Sequence, residues 1–313
     1  MPFTDKPQVF GASINALTVG VEGKSVVLGG GNTLPLYSFD APVANAPKVG
    51  VVVADSGFDA TVPGLAEFYV GCENTVDCAK RACTMEGADF IVLSLDTADP
   101  NGDNKSVEDC VETVKAVYDV IDKPLAVIGS KNVEKDSELF VKVSDAMRGN
   151  NIMVLSCKED NYKTVGAGVV LAAGCIVGGE SAVDINLAKQ LNVLLTQLGV
   201  PGTSVVMNLG SAAAGYGFEY LASTIERVKN AALGQNDTAL QMPVVTMIGD
   251  DAWGVKEAIL EEEEMPEWGS REERGIQMEI VTAAACIASG SDAVLLRHPV
   301  SVKTIAEMVS ELV

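Results

Sequence analysis

Eight times from about residue 48 onward, a short apolar run rich in β-branched residues is followed by a segment with helical periodicity. The runs are VGVVVA (49–54), FIVLSL (90–95), LAVIG (125–129), IMVLS (152–156), CIVG (175–178), SVVMNL (204–209), VVTMI (244–248) and AVLLR (293–297). None alternates strictly between polar and apolar, as a strand with one wet face does. They therefore predict strands buried on both faces, the mark of a parallel sheet. Composition agrees. The chain is 48% hydrophobic but only 5% aromatic, and small and aliphatic residues suit strands covered by closely packed helices.

The intervening segments carry helix signals. In 106–121, Ser106 and Asp109 form a capping box, and Val107, Val111, Val114 and Val117 make one stripe. Asp184 caps 184–198, with Leu187, Leu191, Leu194 and Leu198 facing one way. In 216–232 the face is Leu221, Ile225, Val228 and Ala232. Ser301 is the expected cap of the last helix, whose shared face is Ile305, Met308 and Leu312. Gly87, Gly149, Gly174, Gly199, Gly234 and Gly290 each fall just before a strand, where a left-handed C′ glycine ends a helix.

Eight such units across residues 48–313 match a (β/α)8 TIM barrel in count, order and length. An open doubly wound sheet is the rival. It would place a Gly-rich phosphate turn after the first strand, where this chain has ADSGFDA (54–60). Gly29, Gly30 and Gly31 lead into Asn32-Thr33-Leu34-Pro35 and read as a turn. Residues 1–47 form an N-terminal extension, hairpin-like around VGVEG (19–23). It is read as a cap over the barrel's bottom, with a partner-binding arm as the alternative. Residues 250–270, with EEEE (261–264) and MPEW, form a charged excursion placed beside the barrel mouth.

The net charge of −21, from 22 basic and 43 acidic side chains, repels nucleic acid and anionic membrane surfaces. It serves solubility, or docking to a basic face of a partner. No signal-like start and no apolar run of 18 residues is present, so a soluble, cytoplasmic protein is expected. The seven cysteines (Cys72, Cys78, Cys83, Cys110, Cys157, Cys175 and Cys286) show no CxxC spacing and are expected to be reduced and mostly buried. Cys72, Cys78 and Cys83 come closest to a cluster loop. Their gaps are wide and two fall in an expected helix, so no metal is expected in this chain.

In this fold the functional side chains lie just past the carboxyl ends of the strands. The candidates are Asp55, Asp96, Asn132, Glu159, Asp160, Asn161, Glu180, Asn208, Asp250, Asp251, Trp253, Arg297 and His298. The set offers no nucleophile–base pair, and a single histidine cannot build a multi-histidine zinc site. His298 precedes Pro299 and reads as a structural, hydrogen-bonded histidine rather than a ligand or proton carrier. Strand-end acids can equally satisfy neighbouring helix N-termini. Tyr216, Phe218 and Tyr220 in GYGFEY (215–220) form either a flat platform or a staple at the start of a helix. Gly215 and Gly217, which permit close backbone approach, favour the platform.

Eight segments, in order along nearly the whole chain, carry a family resemblance: VLGGGNTLPLYSFD (27–40), LDTADPNG (95–102), SVEDCVETVK (106–115), EDNYK (159–163), DINLAKQLNVLL (184–195), GYGFEYLASTIERVKNAAL (215–233), MPEWGSREERGIQMEIVTA (265–283) and LLRHPVS (295–301). Together they resemble the small (delta) subunit of the corrinoid iron–sulfur protein of acetyl-CoA decarbonylase/synthase systems. The resemblance implies a TIM barrel in a heterodimer with a large subunit that carries the iron–sulfur cluster and the corrinoid-binding domain. The small barrel then covers and positions the partner's cobalamin, shared at the interface, and holds no iron–sulfur cluster itself. The implied methyl donor is methyltetrahydrofolate, or a tetrahydropterin in archaea, acting through a methyltransferase. The implied acceptor is acetyl-CoA synthase, in the anaerobic acetyl-CoA (Wood–Ljungdahl) pathway of carbon fixation.

By fold geometry, the corrinoid-facing residues at the mouth are Glu180, Asn208, Gly210, Tyr216 and Asp250, with no catalytic residue in this chain. The loops GGESAVDIN (178–186) and NLGSAAAGYG (208–217) depart from the family pattern, and both belong to the mouth. The alternative is a pterin-binding methyltransferase barrel acting in its own right, with Asp96, Asn132, Asp160 and Asn208 on the pterin.

Overall fold

Each of the eight apolar runs becomes a strand in the computed structural model, which describes residues 4, 6–34 and 36–313. An antiparallel hairpin precedes them, β1 (Leu17–Val21) and β2 (Lys24–Leu28). Gly23 turns it, with a φ of 81° that a side chain would resist. The barrel strands are β3 (Lys48–Ala54), β4 (Phe90–Ser94), β5 (Leu125–Ile128), β6 (Met153–Cys157), β7 (Ile176–Glu180), β8 (Val205–Asn208), β9 (Val245–Met247) and β10 (Ala293–Leu296). After β3 come α1 (Leu65–Phe68) and α2 (Thr75–Ala82); after β4, α3 (Val107–Val120); after β5, α4 (Val133–Ala146). Helix α5 (Tyr162–Val165) runs on as a π-helical stretch, Gly166–Ala172. Helices α6 (Ile185–Gln197) and α7 (Phe218–Gly234) follow β7 and β8. The long excursion after β9 holds α8 (Gly249–Gly254), α9 (Lys256–Ile259) and α10 (Arg271–Ser289), and α11 (Pro299–Leu312) ends the chain.

The strands lie in the order β8-β7-β6-β5-β4-β3-β10-β9, all neighbours parallel. A parallel bridge between Met207 and Val244 brings the two ends of this order together, and the fold is the expected (β/α)8 barrel. Two apolar layers hold it. Phe90, Val92, Met153, Leu155, Ile176, Val206 and Leu295 fill the barrel's interior, and a larger layer lies between strands and helices.

The hairpin sits at the opposite end from the mouth. Gly20 N donates to Asn151 O (2.8 Å), Asn151 Nδ2 to Thr18 O (2.7 Å), and Asn15 N to Gln241 O (2.7 Å), all ahead of the strands' amino ends. Its inward side chains Leu17, Val19, Val26 and Leu28 join the interior cluster. Burial of such side chains contributes about 1.5–3 kcal/mol each. The hairpin plugs the bottom, as the capping reading holds. Residues 1–3 and Asp5 of the extension, and Pro35 of the expected turn, lie outside the described residues.

Local expectations mostly stand, with three shifts. Ser106 and Asp184 cap α3 and α6. The buried face of α6 is Ala188, Leu191, Asn192 and Leu195 rather than the leucine stripe, because Asn192 turns inward to donate to Ala239 O (2.8 Å). Gly234 is the last residue of α7, and the left-handed position passes to Asn236 (φ 52°), a residue type that tolerates it. Ser301 is buried inside α11, whose cap is His298 and whose first position is Pro299. Proline's fixed φ and missing N–H fit that first position. The buried face of α11 accordingly runs through Val302, Ile305 and Val309, leaving Leu312 exposed. No helix among the described residues is long and apolar enough to cross a membrane.

Candidate functional site

The carboxyl ends of β3 to β10 surround the mouth, and many of the polar residues there stabilise the loops. Asp55, just past β3, is buried and accepts from Thr97 N (3.0 Å) and from Thr97 Oγ1. Burial pushes its pKa up against those hydrogen bonds. Asn132 caps α4 by accepting from Lys135 N (3.0 Å). Asn161 accepts from Lys158 N (2.8 Å) and donates to Val133 O (3.3 Å). Glu159 accepts from Gln190 Nε2 (2.7 Å), and Ser211 Oγ donates to Asp251. Trp253 is buried against Gly275 of α10. Asp160 is exposed.

Across the mouth runs a chain of charges drawn from distant loops. Lys131, held at φ 68°, reaches Asp250 (2.6 Å). Asp250 also takes Arg297, whose other terminal nitrogen bonds Asp59 at 2.7 Å. Burial alone would raise the Asp250 pKa, but the Arg297 and Lys131 charges outweigh it and hold the carboxyl below its ordinary range. Two buried carboxylates brace this chain from behind. Asp136 accepts from Ser130 N (2.7 Å) and Ser130 Oγ (2.8 Å), fixing the loop that carries Lys131. Glu279 of α10 accepts from Arg297 N (2.7 Å) and His298 N (3.2 Å). Ser301 Oγ and Trp253 Nε1 face Glu279 without reaching hydrogen-bond geometry. Burial pushes both carboxyls up. Neither Asp136 nor Glu279 stands at a strand end, so the search of strand ends missed them; their only signal was an acid in register with the buried face of its helix, Asp136 with Leu139, Phe140 and Val143, and Glu279 with Ala283 and Cys286.

His298 plays the structural part expected of it. Its Nδ1 accepts from Val300 N (3.2 Å), its Nε2 lies 3.5 Å from Glu272, and its ring tilts against Trp253. Burial lowers its pKa against the pull of Glu272, so the ring is neutral and the proton belongs on Nε2.

The five mouth residues singled out from the sequence fall into three places. Glu180 and Asn208 are ladder partners on β7 and β8. Glu180 is 3.2 Å from Lys158. Asn208 donates to Ser156 Oγ (3.1 Å) and accepts from Gly210 N (3.1 Å), so Gly210 stands beside it. Asp250 lies within the charge chain. Tyr216 is at the rim, 44% exposed, with its hydroxyl donating to Glu257 (2.6 Å). Phe218, half-buried, starts α7 and packs on the core, so GYGFEY serves as both rim and staple. Between β7 and α6, Ala182 (φ 44°) and Val183 (φ 65°) are both left-handed, an unfavourable conformation for a β-branched residue. Strain thus sits in the loop 178–186 at the mouth.

A cavity of about 380 Å³ opens beside β3, lined by Val52, Ala54, Ser56, Phe58, Asp59, Ala60, Leu65, Tyr69, Asp96 and Arg297. Phe58 and Tyr69 stack there, their centroids 5.4 Å apart. Of the strand-end candidates only Asp96 and Arg297 line it. Phe58, Asp59 and Tyr69 come from the loop and short helix after β3; ADSGFDA, at the end of a barrel strand, was the one cue to Phe58 and Asp59, and nothing pointed to Tyr69. The cysteines are free, and burial pushes Cys157 and Cys286 up to about 12. Among the described residues, no group of three or more His, Cys, Asp or Glu side chains is placed to hold a metal ion.

Comparison with known proteins adds a family and a fold. The family described as CO dehydrogenase/acetyl-CoA synthase delta subunit matches residues 16–297. The Archaeoglobus fulgidus acetyl-CoA decarbonylase/synthase complex subunit delta is 31% identical over 297 residues, covering 94% of this chain and 65% of its own length. The Methanopyrus kandleri subunit of the same name is 33% identical over 294 residues, covering 92% and 70%. This chain therefore spans about two thirds of the length of these relatives. Among solved structures, a Yersinia pestis dihydropteroate synthase in a sulfonamide complex superposes with a TM-score of 0.58 at 13% identity, covering 94% of this chain and 99% of that one. The Xanthomonas albilineans dihydropteroate synthase with 4-aminobenzoic acid gives 0.57 at 12%, covering 95% and 98%. At such identity the likeness is one of fold.

Proposed function

We propose that this chain, which belongs to the CO dehydrogenase/acetyl-CoA synthase delta-subunit family, is the small subunit of a corrinoid methyl carrier, covering and positioning a corrinoid held by a larger partner. The observation that carries this reading is the state of the mouth. Several of its charged side chains are matched to one another, Lys131 and Arg297 to Asp250 and Asp59, and Lys158 to Glu180. Matched charges suit a surface that another body covers, because each is already compensated when water leaves.

The rim fits a broad, flat group. Gly215 has open space where a side chain would stand, Tyr216 is half exposed, and Gly210 brings backbone to the surface beside Asn208. A bound corrinoid would supply the cobalt that takes up and releases the methyl group. Tyr216 and the backbone of 210–217 would bear on its face, Glu180, Asn208 and Asp250 would set the polarity beneath, and the closed surface would exclude water. The partners are the large corrinoid iron–sulfur subunit, a methyltetrahydrofolate methyltransferase and acetyl-CoA synthase, in the cytoplasm, within the Wood–Ljungdahl route. A methyltransferase using Asp96, Asn132, Asp160 and Asn208 together is less well supported: Asn132 is occupied as a helix cap, and only Asp96 lines the cavity.

Co-expression with the large subunit and anaerobic purification tests the reading. A one-to-one complex carrying cobalt and iron is expected, with the colour following the larger chain on dissociation. Tyr216→Ala should weaken the complex about tenfold, as loss of a well-placed aromatic anchor does. A colourless chain that ignores the large subunit would overturn it.

A further inference from the structure

We propose that Cys72 and Cys78 form a thiol pair that a small, carboxylate-bearing disulfide oxidises to an intramolecular crosslink, with Cys72 the residue first modified. The pair lies on the loop before α2 and on α2 itself, whereas Asn208, Gly210 and Tyr216 belong to β8 and the loop after it, so the modification does not depend on the covering role.

The local fold brings the two side chains together. Gly71, at φ 80°, reverses the chain after α1, and Cys72 N donates to Tyr69 O (2.9 Å). Asn74 caps α2 by accepting from Asp77 N (3.0 Å), and Asp77 reaches back to accept from Glu73 N (3.2 Å). This reciprocal box folds the residues ahead of the cap onto the first turn of the helix. Cys78, in that part of α2, is buried among the core side chains against which Cys72 packs. The two thiols face one another, and burial together with this neighbour pushes the Cys78 thiol up to about 11.

Access separates the two roles. Cys72 is half-buried and lines a groove of about 300 Å³ with Gly71, Asp77, Lys80, Arg81 and Thr84. Two cations meet one carboxylate there, in a chain whose net charge is −21, so an anionic reagent is drawn to this groove. Cys83, the other half-buried thiol, instead faces Asp122, and the remaining four cysteines are buried.

The exchange balances without a further reagent. The Cys72 thiolate attacks one sulfur of the small disulfide, and the other half leaves as a thiolate that takes up the proton Cys72 lost. Cys78 needs no path to solvent: it gives up its proton and attacks the Cys72 sulfur from within, releasing the second half as a thiol. Two protein thiols are oxidised and one disulfide is reduced to two thiols. The crosslink ties the loop after α1 to α2 beside Tyr69, whose ring stacks on Phe58.

The test uses the full chain, reduced, freed of reductant under nitrogen and incubated with oxidised glutathione as the probe. Remaining thiols are then alkylated in denaturant and mapped by mass spectrometry. Two of the seven thiols should be lost, with a peptide crosslink joining Cys72 to Cys78 that dithiothreitol reverses. Cys78→Ser should halt at one glutathione on Cys72, and Cys72→Ala should lose both products. Melting temperatures recorded alongside show which variants are folded, and the parent chain decides alone if one is not. A parent chain that keeps all its thiols, a first adduct at Cys83, or a glutathione on Cys72 that Cys78 never displaces would each overturn the proposal. Co-purification with the large subunit reads the covering role separately, so either idea can fail alone.

Discussion

Arg297 and His298 are adjacent in sequence, yet one faces the mouth and the other closes a helix. Glu279 makes this possible by accepting both backbone N–H groups from a position wholly enclosed by protein. The acceptor Nδ1 of His298 then takes the Val300 N–H, so protonation of the ring would replace a cap with a repulsive donor. Because burial lowers the folded-state pKa, the folded chain binds fewer protons than the unfolded chain once the pH falls below the ordinary value of 6.5. Stability held above that pH is therefore lost as acid is added. His298→Asn puts a capping oxygen in place of the ring nitrogen and cannot titrate. Urea unfolding at pH 7.5 and 5.5 should show a smaller loss on acidification for this variant than for the parent chain. An equal loss would mean that His298 does not report on pH.

At the scale of elements, the excursion after β9 is tied to the barrel by close contact rather than by length. Helix α8 places Trp253 directly on Gly275 of α10, where a Cβ would lie inside the indole ring. Gly275 is inside a helix, where alanine is intrinsically better by about 1 kcal/mol, so helix propensity and packing make opposite predictions. Packing should win, because the indole is buried and has no flexible end to move aside. Gly275→Ala is expected to cost about 2–3 kcal/mol in denaturant unfolding and to shift Trp253 fluorescence. A neutral or stabilising result would show that Trp253 can repack. The same contact positions the start of α10, from which Glu272 and Glu279 reach His298 and Arg297.

The whole molecule carries a net charge of −21, and the mouth is a place where opposite charges are brought together. Elsewhere the excess acid repels itself, a destabilising field that salt screens over about 10 Å at 0.1 M. Raising NaCl from about 20 to about 300 mM should therefore raise the melting temperature by a few degrees. The same addition should slow association with a basic partner face. A melting temperature that falls with salt would mean that the surface ion pairs outweigh the repulsion. Beneath this field the core is continuous from the bottom hairpin into the barrel interior, so residues 17–28 contribute to the stability of the whole.

Local physics made much of the fold readable from the chain alone. All eight strands, the caps at Ser106 and Asp184 and the hairpin turn at Gly23 depend on neighbours within a few residues. Strand order and strand ends follow from them, which is why Asp96, Asn208, Asp250 and Arg297 could be placed at the mouth in advance. Their partners could not. Lys131 meets a carboxylate 119 residues away and Arg297 one 238 residues away. Asn132, a strand-end amide like Asn208, turned out to be a helix cap. The cavity wall of Phe58 and Tyr69, the engagement of Arg297 and the enclosure of Glu279 likewise depend on closure of the barrel. Periodicity records which way a residue points along its own element. Which charge it meets, and whether water remains beside it, is set only when distant elements pack together.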